Sequence, residues 1–75
     1  MPDWSQIQSF AAVAAHGSLS AAARAMGSSQ PTLSRHIAQL ETELGTRLFD
    51  RGRAGMALTM AGADLLGHAE TMAAA

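Results

Sequence analysis

Apolar positions recur at helical spacing through most of this chain, and the clearest run is Leu33, Ile37, Leu40 and Leu44, at i, i+4, i+7 and i+11. That spacing lays one apolar face along a helix. Ser28 or Ser29 supplies its N-cap, and Pro31 suits a first turn, where its missing N–H had no partner to lose. Gly45 stops it. Upstream, Asp3 and Gln6 have the spacing of a capping box. Trp4, Ile7, Phe10, Ala11 and Ala14, with Val13 adjoining, then mark the inner face of a first helix that Gly17 ends. This spacing makes Trp4 and Phe10 core residues rather than platforms for stacking on bases. Ser18 caps a second, short, alanine-rich helix over Leu19–Met26, in which Ala22, Ala23 and Met26 face inward. Beyond Gly45 the period changes. Residues 48–51 and 56–59 are predicted to pair as short strands around Gly52-Arg53-Ala54-Gly55, whose glycines suit a hairpin turn; the alternative is an irregular loop. Thr59 caps a last helix from residue 61 to the end. Its stripe of Leu65, Leu66, Ala69, Met72 and Ala73 has nothing left in the chain to cover it, so a partner helix is expected there.

A short helix, the turn Gly27-Ser28-Ser29 and a longer helix make a helix-turn-helix. In that unit the second helix enters a DNA groove while the first crosses the backbone. The face opposite the leucines carries Pro31, Thr32, Arg35, Ala38, Gln39 and Thr42, with Ser34 on its flank. Amide and guanidinium groups pair with purine edges in the major groove, and small neighbours let a helix sit deep there. Taken alone, such a face is an ordinary solvated surface. The short helix before it and the hairpin after it turn the reading towards nucleic acid. Arg53 at the hairpin tip is placed to enter a minor groove.

Composition narrows this picture. The chain has 75 residues, enough for one small domain and too few for a large substrate pocket. Its net charge of −1 is a mild point against nucleic acid. Arg35, Arg47, Arg51 and Arg53 cluster in sequence, but Glu41, Glu43 and Asp50 lie among them, so geometry has to separate the signs. Glu41 is expected to pair with Arg51 and hold the hairpin; the alternative is a free, solvated carboxylate. The absence of cysteine rules out a disulfide framework and a thiolate zinc site, and suits a cytoplasmic location. Asp3 and Gln6 interrupt any signal peptide, and no apolar run approaches the ~20 residues of a membrane span. His16, placed to complement the first helix's dipole, has no metal-ligand spacing with His36 and His68. Ser34, His36 and Asp50 do not form a triad, because a Ser and a His two apart on a helix diverge. No enzymatic activity is expected.

Phe10, Val13-Ala14, Gly17-Ser18-Leu19, Ala21-Ala22-Ala23, Leu58-Thr59 and Ala61-Gly62 frame the block Ser-Gln-Pro-x-Leu-Ser-x-x-Ile-x-x-Leu-Glu-x-x-Leu-Gly-x-x-Leu-Phe-x-Arg, which runs from Ser29 to Arg51. Together they strongly resemble the DNA-binding domain of LysR-type transcriptional regulators, over nearly the whole chain and without a gap. The resemblance implies a mainly α fold: a winged helix-turn-helix of three helices and a two-stranded wing, followed by a long dimerisation and linker helix. Residues 1–59 would form the DNA-binding domain, with the helix-turn-helix at 18–45 and the wing at 47–59. Residues 60–75 would begin the linker helix, cut short at Ala73-Ala74-Ala75, with the effector domain absent.

The resemblance also assigns roles. Gln30, Pro31, Ser34 and Arg35 match positions that face bases, and Ser29 matches a cap near a phosphate. Thr32 takes a place often held by Ala or Ser. Arg51 and Arg53 match the basic start of the wing, whereas Ala54 and Ala57 stand where Arg or Lys is common and Arg47 where an aliphatic residue is common. Ser29, Gln30, Pro31, Thr32, Ser34, Arg35, Gln39, Arg51 and Arg53 are thus the expected DNA-binding residues. The partners implied are a pseudo-palindromic promoter site in double-stranded DNA and a second copy of the chain, with a tetramer for the full-length parent and no membrane. No cofactor is expected in this domain; a small-molecule co-inducer would act on the effector domain. The competing class is a protein-interaction module, a helical bundle whose fourth helix recruits another protein.

Overall fold

The computed structural model describes residues 3–52 and 55–74. Helices α1 (Trp4–His16), α2 (Leu19–Met26) and α3 (Gln30–Leu44) are followed by strands β1 (Phe49–Gly52) and β2 (Gly55–Leu58) and by helix α4 (Met60–Ala74).

Helix α1 begins with the expected capping box. The Asp3 carboxylate accepts from the Gln6 N–H at 2.9 Å, and the Gln6 Oε1 accepts from the Asp3 N–H at 3.3 Å. Its buried residues are Gln6, Ser9, Phe10 and Val13. That face lies about 100° round, one residue's step, from the expected one. Trp4 is consequently 46% exposed, not a core residue. The burial of two polar side chains in its place is compensated on α3: Gln6 Nε2 donates to Gln39 Oε1 at 3.1 Å, and the Ser9 hydroxyl bonds His36 Nδ1 at 2.8 Å. Among the described residues no buried side-chain N or O lacks a partner, as a small core requires.

Helix α2 takes its cap from Ser18, whose Oγ accepts from the Ala21 N–H. Ala22 and Ala23 are buried, and their small side chains allow close packing on α1 and α3. Met26, expected inside, is exposed in the last turn. Gly27 then takes φ 65°, a left-handed turn that costs glycine little. Ser29, rather than Ser28, caps α3 through the Thr32 N–H. Leu33, Ile37 and Leu40 enter the core, while Leu44, on the same stripe, runs past it and is exposed. Phe10 and Phe49 close the core with ring centroids 5.4 Å apart, which ties the hairpin to the helices.

The hairpin is antiparallel, pairing Phe49 with Leu58, Asp50 with Ala57, Arg51 with Met56 and Gly52 with Gly55. Each strand sits one residue from its expected place: Leu48 and Thr59, opposite each other in this register, keep only one bond across the hairpin because the Leu48 amide is used elsewhere. The Thr59 N–H donates to the Leu48 carbonyl at 3.0 Å. The Leu48 N–H donates to Glu41 Oε2 at 2.7 Å, and the Phe49 N–H reaches the same oxygen at 3.4 Å. Glu41 therefore does hold the wing, but through backbone amides rather than Arg51. Hydrogen bonds to a charged group contribute about 1.5–3 kcal/mol. Glu41→Ala should lower stability by about 2 kcal/mol and Glu41→Gln by less, since an amide oxygen still accepts. Urea midpoints with unchanged m-values would show this order.

Thr59 caps α4, accepting from the Gly62 N–H at 3.0 Å while its hydroxyl donates to the Arg47 carbonyl at 2.6 Å. The expectation that nothing covers the α4 stripe is corrected. Leu65 and Leu66 pack against the core, and Ala69 is 3% exposed. Helix α4 is in contact with α1 and β2, which gives these residues a surface to pack on. Met72 and Ala73 remain exposed.

Candidate nucleic-acid interface

The surface of α3 opposite its buried stripe exposes Gln30, Pro31, Arg35, Ala38, Gln39 and Thr42, with Ser34 and Thr32 half-buried on its edge. Ala38 keeps the middle of the face low. A shallow open depression of about 320 Å³ lies there, lined by Arg35, Ala38, Gln39, Thr42 and Glu43. Thr42 turns its hydroxyl back onto the Ala38 carbonyl at 2.9 Å, so it shows its methyl group outwards. At the other end, the Ser29 hydroxyl donates to Thr32 Oγ1 at 2.9 Å. The first-turn amides and the positive end of the helix dipole gather there, which suits a phosphate.

Two devices separate Glu41 and Asp50 from the arginines, while Glu43 stays exposed at the depression beside Arg35. Glu41 points inwards to the Leu48 and Phe49 amides and is withdrawn from the exposed face. On β1, Asp50 and Arg51 are consecutive and therefore point to opposite faces of the hairpin. Arg51 is exposed, and Arg53 lies outside the described residues. Arg47, which departs from the family pattern, donates to the Phe49 carbonyl at 3.3 Å.

Three residues gain importance that the sequence alone did not give them. Arg24 is exposed on α2, its guanidinium 3.4 Å from the Ser20 hydroxyl; its place on the helix that crosses the DNA backbone in this kind of unit was the available signal. Gln6 and Ser9 are the others. Their spacing on α1 mirrors that of Gln39 and His36 on α3, but only the tertiary contact reveals the match. His36, bonded to Ser9, is part of the helix packing and not of a triad with Ser34 and Asp50.

On this arrangement the comparisons with known proteins are decisive. Residues 4–63 match the family described as bacterial regulatory helix-turn-helix protein, lysR family. The chain is a member of the LysR family. The SDS degradation transcriptional activation protein of Pseudomonas sp. (strain ATCC 19151) is 46% identical over 72 residues, covering 96% of this chain and 24% of the relative. This LysR-family chain thus spans about a quarter of that relative's length. Among solved structures, the CbnR DNA-binding domain in complex with DNA superposes with a TM-score of 0.89 at 37% identity, covering 93% of this chain and 80% of that one. The BenM DNA-binding domain on its benA site 1 DNA gives 0.91 at 32% identity, covering 96% and 84%. The winged helix-turn-helix of this LysR-family chain is therefore the fold of those domains. Among its described residues no helix is long and apolar enough to cross a membrane.

Proposed function

We propose that this chain is the sequence-specific, double-stranded-DNA-binding domain of a bacterial LysR-type transcriptional regulator. Helix α3 lies in the major groove, α2 crosses the backbone, and the hairpin reaches the neighbouring minor groove. The observation that carries this reading is the exposed α3 face, where Arg35 and Gln39 flank a low centre at Ala38 while the opposite stripe is locked in the core. The likeness to domains solved on DNA supports it. Residues 1–59 are the DNA-binding unit and residues 60–75 belong to a dimerisation helix. The whole protein works in the cytoplasm as a homodimer or tetramer on a pseudo-palindromic promoter site, without enzymatic activity. The domain itself needs no cofactor, and a small-molecule co-inducer acts on a separate effector domain.

Arg35→Ala tests the interface. It should weaken binding to a selected operator by about 1–3 kcal/mol per site and relax the preference at one base position. Comparing selected and scrambled duplexes for both proteins measures it. An unchanged base preference would move Arg35 to the phosphates, and wild-type protein that treats both duplexes alike would end the proposal.

The dimer has its own test. A glutamate at Leu65 would disrupt the domain's own core, so Met72, which is 47% exposed, is the better probe. Met72→Glu should leave the fold intact and shift sedimentation from dimer to monomer. A wild-type chain that sediments as a monomer at high concentration would remove α4 as the dimer contact.

A further inference from the structure

We infer that Gln39 meets DNA as a hydrogen-bond donor, and that buried Gln6 sets it that way. The inference rests on the DNA-binding reading and adds what one side chain on that face recognises.

The argument follows the direction of three hydrogen bonds. A backbone N–H can only donate, so the Gln6 atom facing the Asp3 N–H at 3.3 Å is its oxygen. The other end of the Gln6 carboxamide is therefore the NH2 group, and this is the end 3.1 Å from Gln39. Gln39 must meet a donor with its own oxygen. Its NH2 group is left on the exposed side of α3, beside Arg35, Ala38 and Thr42 at the depression. Gln6 is 7% exposed, so water has little access to its side chain. Its backbone N–H, held by the Asp3 carboxylate at 2.9 Å, fixes it further. A neighbouring link, Ser9 to His36 at 2.8 Å, lies three residues further along α1 and three residues back along α3, and holds the two helices in this register.

A freely rotating glutamine pairs with adenine, donating to N7 and accepting from the N6 amino group. With its oxygen turned towards Gln6, Gln39 offers its NH2 group to the groove and so favours base edges that only accept: N7 and O6 of guanine, or O4 of thymine. Gln6 is a positioning residue, acting on the base through Gln39 without touching it.

The test uses this chain and a duplex selected by it, with analogues that each delete one group. 7-Deazaguanine lacks N7, and 5-methyl-2-pyrimidinone lacks the O4 of thymine. At one position an acceptor deletion should weaken wild-type binding about tenfold and leave Gln39→Ala indifferent. Gln6→Glu keeps an oxygen for the Asp3 N–H but offers Gln39 an acceptor. Gln39 should then turn over, present its oxygen, and lose its sensitivity to acceptor deletion at that position. Gln6→Met, which offers neither group and leaves Gln39 free to turn, should weaken the same sensitivity without the reversal, so a poorly folded Gln6→Glu does not block the test. In the free domain, the Gln6 side-chain NH2 resonances should shift in Gln39→Ala. A Gln39-dependent position that senses only the loss of an adenine or cytosine amino group overturns the inference. So does undiminished sensitivity in Gln6→Met, or Gln6 NH2 signals indifferent to Gln39. A wild-type chain that selects no sequence removes the DNA-binding reading and this inference with it, whereas selection that ignores Gln39 removes the inference alone.

Discussion

Raising salt from 50 to 200 mM should cost this domain roughly 10³–10⁵ in affinity for DNA, if a dimer makes about 6–10 phosphate contacts. The count follows from exposed groups on the proposed DNA-facing side: Arg24 on α2, Arg51 on the hairpin, and Arg35 and the N-terminal amides of α3. Each cation that neutralises a phosphate releases condensed counterions, so log affinity falls linearly with log salt. The net charge of −1 lowers the non-specific floor but not the slope. Arg51→Ala should weaken binding on all sequences alike and flatten the slope by about one per chain. Fluorescence anisotropy at four or five salt concentrations measures both. The competing interaction-module reading expects no slope, and a flat wild-type line would favour it.

Gly62→Ala should destabilise the fold by about 3 kcal/mol, the upper end of the usual cost of overpacking. A Cβ built on Gly62 would lie 2.2 Å from the Leu48 carbonyl oxygen and 2.9 Å from a Leu58 methyl. The carbonyl is backbone and already accepts from the Thr59 N–H, so it cannot step aside cheaply. Gly67, in the same helix, has open space round its Cα. Gly67→Ala should therefore stabilise α4 by up to about 1 kcal/mol, the intrinsic helix preference of alanine over glycine. Thermal melts of the two variants should move in opposite directions. Equal melting temperatures would mean that α4 and Leu48 do not touch as described.

Much of this fold could be read from the sequence because local signals and the tertiary structure agree. Asp3, Ser18 and Thr59 cap the helices they were expected to cap, Ser29 is the one of two candidate serines that caps α3, and residues 33, 37 and 40 face the core. The failures have a common cause. Periodicity gives an apolar stripe but cannot tell when a polar pair across two helices makes a neighbouring stripe the better one to bury. Gln6 with Gln39 and Ser9 with His36 make the buried face of α1 a partly polar one, and Trp4 lies outside it. Glu41 shows the same limit: a carboxylate near an arginine in sequence suggests an ion pair, while two backbone amides nearby in space make a better-satisfied partner. The arginines and amides of the candidate interface were visible as residue types. Which of them point outwards, and with which atom, was not.

Residues 47–49 are held from three directions at once. Glu41 of α3 takes the amides of Leu48 and Phe49, Thr59 takes the Arg47 and Leu48 carbonyls, and Gly62 of α4 rests on Leu48. The reading helix and the fourth helix are thereby clamped to one point, and the domain acts as a lever without a joint. Its longest extent is 27 Å. A turn of about 10° applied through α4, within the range of known subunit rotations, swings the far end of such a lever by about 5 Å, more than the ~3.4 Å rise of one base pair. Whatever tilts the fourth helices of two paired chains would therefore move their reading heads out of step with the DNA, with no side chain on the DNA-facing surface having changed.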